Sequence, residues 1–538
     1  MARAARRQRM ALLMTAWIVL TAPAASTAAE FRWTAAQGPA TLEPQSPEAL
    51  ADPGVLGDVY ETLIGRDSDL DLEPALATAW QAVTDLRWRV TLRRGVRFHD
   101  GAAFTADDVV ASLERASARG GGLAEALAPV RRVRRVDDTT VDLYTQTPTP
   151  DLPQRLALIR ILDDGWIARA DPAMPANGTG PFRVDRFTPG GAVTLVANGD
   201  WWGRTIPADP LGTTAPPAPR LERATLIPAA RPADRLRLLL EGKVDLALDL
   251  PPAVVPPLAA TPGLRALVIG GTRTVMLGMD QRPPPLGAAR GQGSPFRDRL
   301  LREAVLRAVD MTDIDQRLFA NQATPAALIA GPMIAGVPAA ADIRPAADPD
   351  RARALLAEAG VGPAGVSVTL DCPLGFFLND GALCDAIATS LSEVGIHTAV
   401  ATRLAENHFP RVLRGESRFF LTGYQPLTLD ILDPLRALAA CPPTDGSPKD
   451  GFGQANGAGY CDPSVDRLIR RLADEMIPAR QSALAAEIVL KLRDDVVYVP
   501  LHQEPVIWGA RADIGLRQRA DGVLDLRWVS PAPVPQGR

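Results

Sequence analysis

Between residues 88 and 116 the spacing of hydrophobic residues changes from every second position to helical spacing. This change predicts a strand followed by a helix. Trp88, Val90 and Leu92 share one face, with arginine and threonine between them, and this period of two is typical of a half-buried strand. Thr105 and Asp108 then have the spacing of a capping box, so a helix is predicted to begin there. Apolar residues recur along that helix at helical spacing and predict one packed face.

Similar patterns continue along the chain and predict mixed α and β structure. Residues 130–144 alternate as two strands around an Asp-Asp-Thr turn, and residues 267–280 predict a further pair of strands. Residues 496–508 predict two strand pieces around His502 and its neighbour. A strand, a helix and a strand follow one another between residues 366 and 401, and such a β-α-β unit implies a parallel sheet.

Length and charge limit the classes of protein that this chain can represent. Its 538 residues exceed the ~100–200 of one ordinary core, so two or three lobes are expected. The 62 acidic residues outnumber the 58 basic ones, which argues against a nucleic-acid partner.

The first 29 residues have the pattern of a cleavable secretory signal. Arginines precede an apolar run, Met10–Thr21, and small residues lead to a cleavage site after Ala28 or Ala29. The run is shorter than the roughly 18 residues of a membrane span. We therefore predict an exported, periplasmic protein. Sec export is favoured, and Arg6-Arg7 leaves the twin-arginine route open.

Four cysteines in an exported chain make disulfides plausible. Three pairings are possible. We favour Cys372–Cys384 and Cys441–Cys461, because each closes a loop rich in glycine, proline, asparagine and aspartate. A zinc site is the alternative, but no C-x₂-C spacing supports it, and we expect neither a metal site nor a cofactor.

Several motifs together resemble those of one protein family. L-R-R-G-V-R-F-H-D-G at residues 92–101 is followed by F-T-A-D-D-V, N-G-T-G-P-F stands at 177–182, and F-R-D-R-L-L-R-E-A-V-L-R-A-V-D at 296–310. The combination is similar to that of the periplasmic dipeptide/oligopeptide-binding proteins of ABC importers, bacterial extracellular solute-binding protein family 5.

The resemblance implies a fold that periodicity alone could not give. It is an α/β, three-lobed periplasmic binding protein fold of type II-like form, with mixed sheets flanked by helices and a ligand cleft between lobes. The implied lobes are made from non-contiguous pieces: residues 30–75, 178–270 and 499–538 for lobe I, 76–177 for lobe II, and 271–498 for lobe III.

The resemblance also implies a function. Such proteins capture a peptide or peptide-like solute and deliver it to a membrane-embedded ABC permease, and we expect a monomer. The same fold could instead bind an opine, a sugar, glutathione or a metal chelate, or could serve as a ligand sensor. No G-x-S-x-G or H-E-x-x-H motif is present, so an exported hydrolase is not expected.

The predicted site centres on residues 419–435. In related peptide-binding proteins, Gly-Trp is followed by an aspartate that holds the α-ammonium group of the ligand. The resemblance therefore implies that Asp430 binds the ligand, since an ammonium–carboxylate hydrogen bond is strong once water is excluded. Tyr424 would form an aromatic wall with Gln425 beside it. Asp433 is expected to cap the next helix, and a cap is also the alternative for Asp430.

A second wall is predicted at Phe376 and Asn379. Many relatives have an arginine where Phe376 stands, suited to a ligand carboxylate. Either Arg273 or Arg403 replaces it, or the ligand has no free carboxylate there. His502 either faces the cleft or is a structural residue of the core.

Overall fold

The computed structural model describes residues 30–47, 49, 54–169, 176–205, 219–283, 293–442 and 451–531. The predicted signal peptide lies outside the described residues. Among the helices of these ranges, none combines the length and the apolar character needed to cross a membrane.

The strands follow the alternating segments of the sequence. In chain order they are β1 (Glu30–Thr34), β2 (Ile64–Arg66), β3 (Leu72–Pro74), β4 (Ala77–Thr84), β5 (Arg87–Leu92), β6 (Val130–Asp137), β7 (Thr140–Thr145), β8 (Phe182–Phe187), β9 (Val193–Ala197), β10 (Arg223–Leu226), β11 (Leu246–Ala247), β12 (Leu264–Met279), β13 (Thr324–Pro325), β14 (Val366–Leu374), β15 (Ile396–Leu404), β16 (Phe419–Tyr424) and β17 (Tyr498–Arg511).

The helices cover the faces of the sheets. They are α1 (Gly54–Val59), α2 (Ala106–Ala118), α3 (Gly121–Leu127), α4 (Leu152–Leu156), α5 (Asp164–Arg169), α6 (Pro232–Leu240), α7 (Val255–Ala259), α8 (Arg299–Ala308), α9 (Met311–Leu318), α10 (Pro349–Glu358), α11 (Asp380–Glu393), α12 (Ala405–Leu413), α13 (Leu432–Pro434, continued by a π-turn at Leu435–Ala439), α14 (Pro463–Asp474) and α15 (Pro478–Asp494).

Three sheets organise these elements. An 11-stranded mixed sheet has the order β15-β14-β16-β12-β17-β11-β1-β10-β9-β8, with β13 added on β17. A four-stranded sheet has the order β4-β5-β7-β6, and β2 pairs with β3. The four-stranded sheet packs on one apolar core, and the two ends of the 11-stranded sheet pack on two others. The lobe boundaries given above stay a prediction.

Two expectations about strands were wrong in the same way. Residues 267–280 and 496–508 form two long single strands, β12 and β17, rather than two pairs of strand pieces. They pair antiparallel over most of their length, with a register shift between Gly270 and Thr274. Gly271 allows the close approach, because a Cβ there would lie 2.5 Å from the Glu504 carbonyl oxygen. The glycines therefore mark a bulge, not a turn.

Other predictions of local structure are confirmed. The Thr105 hydroxyl accepts from the Asp107 amide, and the Asp108 carboxylate accepts from the Thr105 amide at 2.7 Å, which completes the capping box of α2. β6 and β7 form the predicted hairpin. β14 and β15 are parallel and joined through α11, as the β-α-β pattern requires.

Both predicted disulfides are present. Cys372–Cys384 joins the end of β14 to α11, and Cys441–Cys461 closes the second loop. The first disulfide encloses the predicted wall at Phe376 and therefore fixes the chain on both sides of it.

Candidate ligand-binding site

A cavity of about 440 Å³ lies where four stretches of the chain meet. It is lined by α1 and the residues after it, by residues 157–160, by residues 425–429 and by residues 519–527. This volume is within the ~300–1,000 Å³ range of small-molecule sites. Of the residues predicted from the sequence, Gln425 lines the cavity, and Asp430 directly follows Leu429, which also lines it.

One side of the cavity carries charges that are paired with each other. Arg519 donates to both carboxylate oxygens of Asp521, at 3.1 and 2.6 Å. Arg527 donates to Asp525 at 2.6 Å and to Glu73 at 3.1 Å. We call residues 519–527 the paired floor, since its guanidinium groups already have carboxylate partners.

Two acidic residues of α1 and the segment after it also line the cavity. Asp58 accepts from the Leu526 amide at 3.1 Å, and burial, reinforced by the charge of Asp525, raises its pKa well above the ordinary value. Glu61 accepts from the indole nitrogens of Trp201 and Trp202 at 3.1 and 2.9 Å, and burial raises its pKa. The Glu61 carboxylate therefore holds the two tryptophan side chains in place, and its hydrogen bonds to them leave it less available to a ligand.

Sequence reasoning missed both of these acidic residues as cavity residues. The available signal was the presence of carboxylates within the apolar run V-L-G-D-V-Y-E at residues 55–61. An acidic residue in such a run is seldom buried without a partner or a function.

Arg66, on β2, lines the cavity and was not singled out by sequence reasoning. Its guanidinium donates to the Leu70 carbonyl at 2.8 Å and to the Thr428 carbonyl at 2.5 Å. Among the described residues it forms no ion pair closer than 4.0 Å. Burial, with the like charge of Arg519, lowers its pKa to about 10.

Asp430 is half-buried and has no cation in contact among the described residues. One oxygen accepts from the Leu432 amide at 2.9 Å and the other from the Gln154 side chain at 3.3 Å. Burial, together with the charges of Asp151 and Asp433, raises its pKa to about 7. No lysine or arginine of the described ranges lies within 4.0 Å of it, so the carboxylate is poorly compensated.

The expectation that Asp433 caps the following helix was wrong. Its carboxylate accepts from the Tyr424 hydroxyl at 2.6 Å and from the Thr428 amide at 3.1 Å. Asp430 instead binds the amide at the start of α13. The side chain of Asp433 is thus used to hold the loop between β16 and α13, and Tyr424 is anchored by its hydroxyl.

The second predicted wall forms a separate cluster. Arg273 donates to Glu504 at 2.9 Å and to Gln425 at 3.1 Å, and its guanidinium lies 5.5 Å from the Phe376 ring centre. Phe376 is 44% exposed. Asn379 donates to the carbonyl of Leu318 at 2.7 Å. Of the residues in this cluster, Gln425 lines the cavity, and Arg273, Glu504, Phe376 and Asn379 do not.

Two other candidates lie away from the cavity. His502 is buried against the ring of Phe319, at 4.7 Å between ring centres. Burial, together with the charge of Arg344, lowers its pKa to about 3, so it is neutral at physiological pH. Arg403 is paired with Asp371 on β14. The structure therefore favours the structural alternative for His502.

Among the residues that the structure describes, one group of acidic side chains could surround a cation, but it lies away from the cavity. Asp108, Asp163 and Asp164 bring carboxylate oxygens within 4.8 Å of one another. Asp108 and Asp163 already accept backbone amide hydrogens, and none of the three lines the cavity. We assign no metal to them.

The sequence was compared with known proteins. The family described as "Bacterial extracellular solute-binding proteins, family 5 Middle" matches residues 71–445. The glutathione-binding protein GsiB of Escherichia coli O1:K1 / APEC is 26% identical over 531 residues, which cover 94% of this chain and 95% of that protein.

Solved structures show the same architecture. HbpA2 from Haemophilus parasuis has a TM-score of 0.77 at 19% identity, covering 93% of this chain and 99% of that one. The periplasmic binding protein DppA from Helicobacter pylori, solved with the peptide STSA, has a TM-score of 0.69 at 19% identity, covering 93% and 98%. At such identities the likeness concerns the fold, and it confirms the predicted α/β architecture with mixed sheets flanked by helices.

Proposed function

The chain belongs to family 5 of the bacterial extracellular solute-binding proteins, and from this premise we propose that it captures a short peptide or peptide-like solute and delivers it to an ABC-type importer. It acts as a monomer in the periplasm after its N-terminal signal has been removed, and it catalyses no reaction. The three lobes predicted from the sequence enclose the solute between them.

The observation that supports a peptide ligand is the state of Asp430. A carboxylate without a cationic partner is costly to bury, and its pKa of about 7 reflects that cost. A ligand ammonium at this position would supply the missing charge and replace the 3.3 Å contact from Gln154. Peptides share an α-ammonium group, so this contact recognises them without regard to side chain.

The cavity volume favours a short ligand. About 440 Å³ lies near the lower end of the range for small-molecule sites. A dipeptide or tripeptide suits that space better than a long oligopeptide, which would have to extend beyond the lining residues.

A glutathione-like peptide is a specific second candidate. The likeness to the glutathione-binding protein GsiB extends over 94% of this chain. Glutathione carries one ammonium and two carboxylate groups, so it could use the same ammonium site.

Titration calorimetry on the refolded, ligand-stripped mature protein tests the proposal. Trialanine and glutathione should bind, and N-acetylation of trialanine should weaken its binding by at least ~30-fold, since it removes a charge-assisted contact worth ~2 kcal/mol or more. Asp430→Asn should lose the same affinity for trialanine and should no longer distinguish the acetylated form.

Asp315→Asn is the matched control. Asp315 is another lobe III aspartate whose pKa is raised by burial but, unlike Asp430, it has no cavity-lining residue next to it in the chain. Its substitution should leave the affinity for trialanine unchanged. Equal binding of free and acetylated trialanine to the wild type would contradict the ammonium contact, and binding of neutral sugars alone would contradict a peptide ligand.

A further inference from the structure

We propose that Arg66 binds a carboxylate of the solute, beside the ammonium contact at Asp430, so that the cavity selects molecules that carry both charges. This inference rests on the proposed function, because it assigns a second group of the same ligand. It also assigns carboxylate binding to a residue of the predicted lobe I. The sequence suggested the wall at Phe376 and Asn379, in the predicted lobe III.

The first argument is the pairing of the arginines that line the cavity. Arg519 and Arg527 each donate to carboxylates of the paired floor. Arg160, the fourth arginine of the lining, is buried with partners of its own, the Ala49 carbonyl among them. Arg66 lines the same cavity and donates only to two backbone carbonyls. A guanidinium keeps its charge in a protein, and a charge enclosed without a counterion is unfavourable. A ligand carboxylate would supply that counterion.

The second argument is the number of donors that remain. A guanidinium has five N–H donors, and protein acceptors take two of them in Arg66. Arg235 and Arg302 show how a purely structural buried arginine differs. Each donates to four backbone carbonyls, those of Ala229, Ala230, Leu248 and Asp249 for the first and of Phe296, Arg297, Asp495 and Val496 for the second.

The third argument is the state of the arginines that the sequence suggested for this role. Arg273 donates to Glu504, and Arg403 is paired with Asp371. Neither lines the cavity. Phe376, at the position where relatives often have an arginine, cannot bind a carboxylate. Arg66 is therefore the better candidate of the three arginines for the missing contact.

The fourth argument is the position of Arg66 relative to Asp430. Arg66 donates to the carbonyl of Thr428, two residues before Asp430 in the same loop. The two opposite charges influence each other but form no ion pair. A zwitterionic ligand could therefore place its ammonium on one and its carboxylate on the other, and each contact would be charge-assisted.

Calorimetry with trialanine and its C-terminal amide tests the inference on three forms of the full mature chain: wild type, Arg66→Gln and Arg235→Gln. Amidation should weaken binding to the wild type at least tenfold, and it should change the affinity of Arg66→Gln less than twofold. Arg235→Gln is the matched control, a buried arginine outside the cavity, and should keep the wild-type ratio. If Arg66→Gln fails to fold, Arg66→Lys should show an intermediate ratio, since lysine keeps the charge but not the planar pair of donors.

The outcomes separate the two proposals. If Arg66→Gln weakens trialanine and its amide equally, Arg66 is only a link to Thr428 and the inference is overturned. If the wild type binds neither trialanine nor glutathione, the proposed function fails. Succinate and glutarate then decide on Arg66: a rise in melting temperature that is lost in Arg66→Gln supports the carboxylate contact, and no rise overturns it.

Discussion

The two sides of the cavity use buried charge in opposite ways. On the paired floor, Arg519 and Arg527 donate to Asp521, Asp525 and Glu73, so each guanidinium has its own carboxylate. On the other side, where Arg66 lines the cavity and Asp430 directly follows the lining residue Leu429, the carboxylate and the guanidinium contact only neutral groups among the residues that the structure describes.

The difference indicates which charges hold the fold and which bind the solute. When one member of a buried ion pair is removed, the other is left as a buried charge without a partner, which strongly destabilises the fold. We therefore assign the paired charges to the fold. An unpaired buried charge reduces stability until a ligand compensates it, and such groups are typical of functional sites.

The largest effect is expected from breaking the paired floor. Arg527→Met would leave Glu73 without its cation and Asp525 with only the 4.0 Å contact to Arg519, and should lower the free energy of unfolding by ~3–5 kcal/mol. Urea denaturation measures the change. Arg351→Gln, at an exposed ion pair with Glu358, is the control and should change it by less than ~1 kcal/mol. If the two substitutions lowered the free energy of unfolding equally, the paired charges at the cavity would contribute no more to the fold than an exposed ion pair.

An effect of opposite sign, no larger than the first, is expected at Asp430. Its folded-state pKa of about 7 lies above the ordinary 3.8, so the folded protein binds the extra proton between these values. The contribution of Asp430 to the free energy of unfolding is therefore largest below about pH 4. It decreases by up to ~4 kcal/mol as the pH rises toward 7. Asp430→Asn removes this loss and should be the more stable form at pH 7.5.

Urea denaturation of the ligand-free protein from pH 4 to pH 7.5 measures this slope, with wild type and Asp430→Asn compared at each pH. Asp350→Asn, at an exposed pair with Arg353 on α10, is the control and should follow the wild type. A wild type that keeps a constant difference from Asp430→Asn over this range would mean that Asp430 is already compensated.

The smallest effect is expected at Arg273, because it is paired with Glu504 and partly exposed. Arg273→Ala should change the affinity for trialanine less than threefold, since exposed or rim ion pairs contribute ~1 kcal/mol or less. Arg66→Gln, measured in the same titration, should cost at least tenfold. If Arg273→Ala weakened trialanine binding more than Arg66→Gln, the carboxylate would bind at Arg273 beside Phe376.

Much of the fold could be predicted from the sequence, because local patterns determine it. The capping box at Thr105 and the β-α-β unit of β14, α11 and β15 follow from residues near one another in the chain. Residues 267–280 predict two strands, because a glycine pair has the same local appearance at a bulge and at a turn. Residues 496–508 predict two strand pieces, because the polar residues His502 and Gln503 interrupt an apolar run that continues as one strand in the structure.

Less of the site could be predicted, because its charges come together only in the folded chain. Asp430 was identified through a motif, and Gln425 through its position beside it. Whether an arginine is paired depends on distant residues: Arg66 meets Thr428, and Arg273 meets Glu504. Sequence spacing contains no such information, so sequence reasoning missed Arg66 and named Arg273 and Arg403 instead.

The central claim is that Asp430 is an uncompensated carboxylate that a ligand ammonium compensates. Carbon-13 NMR of the mature protein, labelled at the aspartate carboxyl carbons and assigned with Asp430→Asn, measures it directly. We predict one resonance that reports a pKa near 7 without ligand and a pKa below 4 with saturating trialanine. A pKa for Asp430 that trialanine binding leaves unchanged, or one near 4 without ligand, would contradict the account.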